Sequence, residues 1–283
     1  MSSAKIIIHG GFFSEADTSD VVKKAKQDAL LGIVKKSHTF LATHTALETV
    51  VYAVELLENC DLFNAGLGSQ IQRDGKIRMS ASLMNGTSLK FSGVINIEDV
   101  KNPIRVAERL QNADDLVLAG EGALKFARSQ GFEFFNPETE HRKTEYKTKT
   151  GKAGLGTVGC VALDSAGRLA VATSTGGKGF EQPGRVSDSA TVAGNYANAL
   201  CGVSCTGVGE DIVSGAVAIK IVTRVTDGLS LDEACKKTFA ELTPFDGFAG
   251  AIALDKHGNL FHIDSHPRMV FASFDGEKLE VFE

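Results

Sequence analysis

The chain has 283 residues, is 43% hydrophobic and carries a formal net charge of −5. That length can bury a large core as one broad α/β domain or two small ones, and one domain is favoured. The acidic balance (pI near 5.8), with no basic stripe interleaved with aromatics, argues against a nucleic-acid partner, and no apolar run approaches a membrane span.

In chain order, the opening MSSAKIIIHGG holds too short an apolar run for a signal peptide, so a cytoplasmic protein is expected. Lys5 to His9 predicts a first strand ending at Gly10-Gly11. Leu47, Val50, Val51, Val54 and Leu57 recur at helical spacing and predict an amphipathic helix that stops before Asn64-Ala65-Gly66-Leu67-Gly68. Ile77, Met79, Ala81 and Leu83 alternate, the pattern of a strand with one buried face. Asn102-Pro103 predicts a cap with proline at the first helical position, opening a helix through Leu110. A further helix is expected from Leu118 to Gln130. The run from Asn136 to Thr150 (NPETEHRKTEYKTKT) has no aliphatic residue to bury. It predicts a solvated, mobile linker extending to about residue 156.

Beyond the linker the pattern turns to hairpins. Thr157 to Leu163 (TVGCVAL), the turn Asp164-Ser165-Ala166-Gly167 and Arg168 to Ser174 predict two antiparallel strands. A helix from Asp211 to Val225 follows, then one opened by the capping box Ser230-x-x-Glu233. Ala249 to Leu254, the turn Asp255 to Gly258 and Asn259 to Ile263 predict another hairpin. Two sheets packed face to face with helices outside are therefore expected. The five cysteines are odd in number and scattered, unlike a disulfide framework, and Cys201 and Cys205 read as small buried residues. His262-x-Asp264-x-His266 would set three possible metal ligands on one strand face. With no further His or Cys cluster, a loop or surface site is the plainer reading.

Gly156-Thr157-Val158-Gly159 stands where the charged run gives way to an apolar strand, a place where a chain can cut itself and expose a new N-terminal threonine. Such a threonine brings its own base. A freed α-amino group, with a reference pKa of about 7.7–8.0, is substantially neutral near physiological pH, whereas the same nitrogen in an amide accepts no proton. An ordinary turn entering a strand is the competing reading of those four residues. Gly154-Leu155-Gly156-Thr157-Val158-Gly159 also fits the dinucleotide pattern G-x-G-x-x-G. That pattern needs a strand before it and a helix after it, and here a lysine-rich loop precedes and a β-branched strand follows.

Other glycine-flanked segments after Thr157 suit chemical tasks. Thr173 to Gly177 (TSTGG) ends the strand paired with the one starting at Thr157, so a hydroxyl there would lie beside the nucleophile. Gly184-Arg185-Val186-Ser187-Asp188 offers a cation and an anion three apart, suited to the α-carboxylate and α-ammonium of an amino acid, or else a solvated ion pair. Thr206-Gly207-Val208-Gly209-Glu210 can turn a hydroxyl and a backbone N–H toward a developing oxyanion.

Taken with His9-Gly10-Gly11, Leu62-Phe63-Asn64-Ala65-Gly66 and Lys101-Asn102-Pro103-Ile104, the order and spacing of these segments resemble the plant-type L-asparaginases, or isoaspartyl aminopeptidases, of the N-terminal nucleophile hydrolases. The resemblance implies an α+β fold, the four-layer αββα sandwich, self-cleaved into an α subunit (1–156) and a β subunit (157–283), with two such pairs forming a dimer. It implies hydrolysis of L-asparagine and of β-aspartyl dipeptides, with no catalytic cofactor. Thr157 would be the nucleophile, Thr175 its supporting hydroxyl, and Asn64 the asparagine beside the cut. Arg185 and Asp188 would bind the substrate with Gly207 and Gly209, and Thr206 and Gly207 would form the oxyanion hole. A structural sodium ion is implied on the main-chain carbonyls of Leu57, Glu58, Cys60, Phe63, Ala65 and Leu67. The chain departs from the family where Arg78, Ser80 and Asn85 replace carboxylates, where Ser187 replaces glycine, and in the segment His262 to Met269. Alternatives are a glycosylasparaginase-like amidase, a catalytically silent amino-acid-binding sandwich and, more distantly, a nucleotide-binding module.

Overall fold

Three consecutive isoleucines, Ile6, Ile7 and Ile8, break the alternation expected of a half-buried strand because their strand, β1 (Lys5–Phe12), is covered on both faces. The computed structural model describes residues 4–13, 19–148, 156–266 and 268–283. In it β1 lies inside an eight-stranded sheet. The strands beyond it on one side are Met269–Phe274 (β11) and Leu279–Val281 (β12). On the other side come Val158–Leu163 (β5), Leu169–Thr175 (β6), Met79–Asn85 (β2), Lys90–Ile97 (β3) and Val117–Ala119 (β4). A second sheet orders Leu260–Asp264 (β10), Ala249–Asp255 (β9), Cys201–Gly207 (β8) and Asn195–Ala197 (β7). The sheets meet where β5 and β6 touch β8 and its neighbours.

Helices pack on each sheet. α1 (Asp20–Leu41) lies against β1 and β11, α2 (Ala46–Glu58) against β5 and β6, and α3 (Pro103–Leu110) against β2 and β3. α7 (Val217–Thr226) packs on β7 and β8, and α8 (Leu231–Ala240) on β9 and β10. The expected boxes and hairpins form: Ser230 and Glu233 cap α8 reciprocally, and β5–β6 and β9–β10 are antiparallel neighbours. All five cysteines are free, with Cys201 and Cys205 buried as expected. Among the described residues no helix is long and apolar enough to cross a membrane.

Several expectations need correction. The sequence pattern left α1 unread, because Lys26 and Ser37 interrupt its buried stripe of Leu30, Ile33, Val34 and Leu41. β2 is buried on both faces rather than one, since it lies between β6 and β3 within the sheet and under packed layers. Asn102 does not cap α3 with its own side chain. Its amide donates to Glu58 Oε2 (3.1 Å), while Glu58 Oε1 accepts from the Ile104 backbone N–H (3.1 Å) and so serves as the cap from another helix. The single helix expected from Asp211 to Val225 is two, α6 (Gly209–Gly215) and α7, separated by Ala216 in a left-handed conformation (φ 48°). The helix expected from Leu118 begins instead as α4 (Gly120–Ser129), because residues 117–119 form β4. The linker expected to lack structure carries a helix, α5 (Glu140–Thr148), with no buried residue. Arg142 Nε donates to the Gly68 carbonyl at 2.8 Å, and Tyr146 stacks on Phe180 with ring centroids 5.4 Å apart.

Candidate active site

The β5–β6 register pairs Val158 with Ser174 and Gly159 with Thr173, which brings Thr157 opposite Thr175. Thr157 Oγ1 donates to Thr175 Oγ1 (3.3 Å), and Thr175 Oγ1 donates in turn to the Gly156 carbonyl (3.2 Å). The same carbonyl accepts from Asn64 Nδ2 at 2.8 Å. Two donors thus converge on the oxygen of the bond before Thr157, and both threonine side chains are buried. Asn64 is itself fixed on several sides. Its amide also donates to the Gly177 carbonyl, its Oδ1 accepts from the Gln70 N–H (3.0 Å), and its main-chain carbonyl accepts from the Gly176 N–H (3.0 Å). Gly154 and Leu155, part of the dinucleotide pattern, lie outside the described residues; the strand that follows is β5.

On the opposite face of β6, Ser174 Oγ donates to Glu58 Oε1 at 2.7 Å. Burial pushes the Glu58 carboxyl up to about 8, against the lowering effect of its bonds to Ser174, Asn102 and Ile104, so it carries a proton at neutral pH. This side chain ties α2, the start of α3 and β6 together one residue from Thr175.

Arg185 and Asp188 do not form the solvated pair that is the ordinary outcome for such a spacing. Arg185 instead binds Glu210 through two nitrogens, Nε at 2.8 Å and Nη2 at 2.9 Å, and Lys178 reaches the same carboxylate at 3.1 Å. Arg185 Nη1 has no hydrogen-bond partner among the described residues. The Arg185 guanidinium holds Glu210 down at about 2. Asp188 is 3% exposed, and burial raises its carboxyl to about 7 even though Arg185 opposes the shift. Its Oδ2 has no hydrogen-bond partner among the described residues. Gly209 brings the two together: a Cβ there would lie 2.7 Å from Arg185 Nη2 and 3.0 Å from Asp188 Oδ1. Ser187, at φ −85°, needs no glycine and accepts from the Ser189 N–H (3.1 Å), bracing the 3-10 turn Asp188–Ala190.

Thr206, the next-to-last residue of β8, is fully buried, and its hydroxyl is another polar atom with no partner among the described residues. Gly207 follows at φ 134°, where a Cβ would meet the Phe248 carbonyl at 2.5 Å, so only glycine fits. Two residues earlier on the same face, Ser204 Oγ lies 2.7 Å from Thr173 Oγ1 on β6, which sets β8 beside the threonine pair.

The loop after α2 curls tightly. Cβ atoms at Gly66 and Gly68 would fall 2.4 Å from the Glu58 carbonyl and 2.0 Å from the Phe63 carbonyl. The carbonyls of Leu57, Cys60 and Ala65 accept backbone N–H groups of Cys60, Phe63 and Gly68, each keeping a second lone pair. Main-chain carbonyls are oxygen donors, a ligand type that suits hard cations rather than metals that favour thiolate or imidazole.

The departures at 78, 80 and 85 have local tasks. Arg78 bonds Asp74, Glu98 and Gln72, Ser80 Oγ accepts from the Asn96 N–H (3.1 Å), and Asn85 Oδ1 closes the β2–β3 turn on Thr87 and Ser88. Arg78 lines a cavity of about 630 Å³ whose wall includes Gly184 and Val186, the neighbours of Arg185. His262 stacks on Phe271 and His266 on Phe248, and among the described residues no three His, Cys, Asp or Glu side chains gather as a metal site. The sequence reading missed Glu210 as the partner of Arg185 and the Glu58 side chain. Glu210 stands inside the quoted TGVGE segment, where its charge was the available signal; nothing local marks Glu58.

A family model described as asparaginase matches residues 2–150 and 138–283. The chain is 44% identical to an isoaspartyl peptidase/L-asparaginase of Nostoc sp., over 97% of this chain and 93% of that protein. It is 39% identical to an isoaspartyl peptidase of Escherichia coli, over 92% of this chain and 89% of the other. With a plant-type L-asparaginase of Pyrococcus horikoshii the identity is 34%, over 94% and 95%.

Proposed function

Since the chain belongs to the asparaginase family, we propose that it is a self-cleaving threonine amidohydrolase that converts L-asparagine to aspartate and ammonia and hydrolyses β-aspartyl dipeptides. The facing sheets, with α1 to α3 on one and α7 and α8 on the other, support the four-layer αββα sandwich of the N-terminal nucleophile hydrolases. The observation that carries the proposal is the line Thr157 Oγ1, Thr175 Oγ1, Gly156 carbonyl, with Asn64 as second donor to that carbonyl.

In maturation, Thr157 Oγ1 attacks the Gly156 carbonyl carbon. Its proton passes to Thr175 Oγ1, whose own proton reaches the developing oxyanion that Asn64 also stabilises. Collapse re-forms the carbonyl and breaks the C–N bond, and the proton delivered to the oxyanion passes to the leaving nitrogen, which gives a free Thr157 α-amine and an ester between Gly156 and Thr157 Oγ1. Water hydrolyses that ester, freeing the Gly156 carboxylate and the Thr157 Oγ1 hydroxyl beside the α-amine. In the mature enzyme the amine takes the Oγ1 proton as the hydroxyl attacks the side-chain carbonyl of the substrate. The Thr206 hydroxyl, buried without a partner among the described residues, and the Gly207 N–H would receive the oxyanion. The amine then gives its proton to the leaving ammonia or amino group, and water releases aspartate.

Arg185 Nη1 would hold the substrate α-carboxylate and Asp188 Oδ2 its α-ammonium, with Gly207 and Gly209 shaping the floor. The carbonyls of Leu57, Glu58, Cys60, Phe63, Ala65 and Leu67 would hold a sodium ion that stiffens the loop before Asn64 and takes no part in the chemistry. Two cleaved pairs would form the working dimer.

Assays with three substrate types test the reading. L-Asparagine and a β-aspartyl dipeptide are expected to turn over, because both offer a free α-carboxylate and α-ammonium beside a side-chain amide. An α-linked aspartyl peptide lacks the free carboxylate, and its cleavage would contradict the proposed register.

A further inference from the structure

Behind the proposed nucleophile lies a polar bridge that none of this chemistry uses. His9 on β1, Thr173 on β6 and Ser204 on β8 are all fully buried. His9 Nε2 is 2.8 Å from Ser204 Oγ, which is 2.7 Å from Thr173 Oγ1. His9 and Thr173 belong to the eight-stranded sheet and Ser204 to the four-stranded one, so the bridge crosses the interface between them. Burial pushes the His9 imidazole down to about 3, so the ring is neutral near pH 7.

Register decides where the bridge falls. Gly159 on β5 is paired with His9 on one side and with Thr173 on the other. A Cβ at 159 would lie 2.0 Å from Ser204 Oγ and 2.4 Å from His9 Nε2, so the bridge occupies the space a side chain would take. Residues two apart on a strand share a face. Positions 159, 173 and 204 stand two residues from 157, 175 and 206. Each strand that brings a group to the proposed site therefore has its bridge position next to that group on the same side. An apolar contact between sheets tolerates sliding. A buried chain of hydrogen bonds penalises it, because any other spacing leaves desolvated polar atoms unpaired.

We propose that the His9–Ser204–Thr173 bridge holds the nucleophile strands at a fixed distance from the strand carrying the oxyanion donors, which makes these three side chains positioning residues for the chemical step. The inference rests on the roles given above to Thr157 and Thr206. Arg185 lies in a loop and Asp188 in a short turn, neither of them on the bridged strands. Substrate binding should therefore be largely insensitive to the bridge.

The test compares Ser204→Ala, His9→Leu and His9→Gln as cleaved enzymes, with kcat counted per Thr157 N-terminus and melting followed in parallel. Ser204→Ala and His9→Leu are expected to lower kcat for L-asparagine about tenfold or more, with KM within about twofold, since small misplacements of reacting groups act on turnover. His9→Gln, whose amide can reach the position of Nε2, should recover most of that loss. Thr157→Ala and the wild-type N-terminal sequence check the underlying site separately. If those controls behave as proposed while the bridge variants keep wild-type kcat, lose efficiency only through KM, or show no rescue by glutamine, the bridge has no positioning role. Should Ser204→Ala not fold, the contrast between His9→Leu and His9→Gln decides; should His9→Leu not fold, kcat and KM of Ser204→Ala decide.

Discussion

Glu210 holds two nitrogens of Arg185, Nε and Nη2, and Asp188 Oδ2 has no hydrogen-bond partner among the described residues. If Arg185 reads the substrate carboxylate, Arg185→Ala loses a charge-assisted bond worth about 1.5–3 kcal/mol. Steady-state kinetics should then show kcat/KM for L-asparagine reduced about 10- to 150-fold, with cleavage at Gly156 unaffected. Asp188 gives a pH signature. Its carboxyl, raised by burial to about 7, must ionise to hold an ammonium. KM should rise as pH falls below about 7, by up to tenfold per unit, while kcat follows the Thr157 amine. Asp188→Asn should show a high KM without that dependence. The stability consequence has the opposite sign to that of an ordinary paired carboxylate. Between about pH 4 and 7 the unfolded chain binds fewer protons at this residue than the folded one, so the Asp188 contribution to stability declines as pH rises through that window. A bound ammonium offsets the decline, so product aspartate should raise the melting temperature more at pH 8 than at pH 6.

The elements most legible in the sequence are those with strong local signals. The box Ser230/Glu233 and the turns at Asp164 to Gly167 and Asp255 to Gly258 form as expected because their side chains and glycines act within a few residues. α1 escaped because its buried stripe includes Lys26 and Ser37, and the break at Ala216 escaped because neither glycine nor proline marks it. α5 escaped because helices are usually found by an apolar face, and this one has none. What holds α5 is polar and aromatic: Arg142 on the Gly68 carbonyl, the Tyr146 hydroxyl on the Arg73 carbonyl (3.1 Å), and the Tyr146 ring on Phe180. Phe180 stands in the loop that follows Thr175 and Gly177, so α5 docks beside the segment that leads away from the proposed cleavage site. Tyr146→Ala is expected to slow maturation several-fold, followed as the appearance of two fragments on a denaturing gel, and to leave kcat/KM of the cleaved enzyme near wild type. An unchanged cleavage rate would show that the docked helix does not influence the cut.

At the scale of the whole molecule, the candidate site draws on segments spread over about half of the chain, from Asn64 to Glu210. Thr157, Arg185, Asp188 and Thr206 could be singled out as candidates because each stands in a short, glycine-flanked segment whose residue types suggest a task. The pairing of His9 with Ser204, 195 residues apart, could not, because only the packing of two sheets brings them together. The same holds for Glu58 and Ser174, 116 residues apart. Every step proposed here depends on one hydroxyl that first cuts its own chain and then hydrolyses substrate. The most direct measurement is intact mass and N-terminal sequencing of wild-type protein beside Thr157→Ala, with L-asparagine hydrolysis assayed on both. Wild type should yield two fragments, the shorter beginning Thr-Val-Gly-Cys-Val, and Thr157→Ala should remain a folded single chain of full mass without activity. A different start to the shorter fragment, or hydrolysis of L-asparagine by Thr157→Ala, would contradict the account.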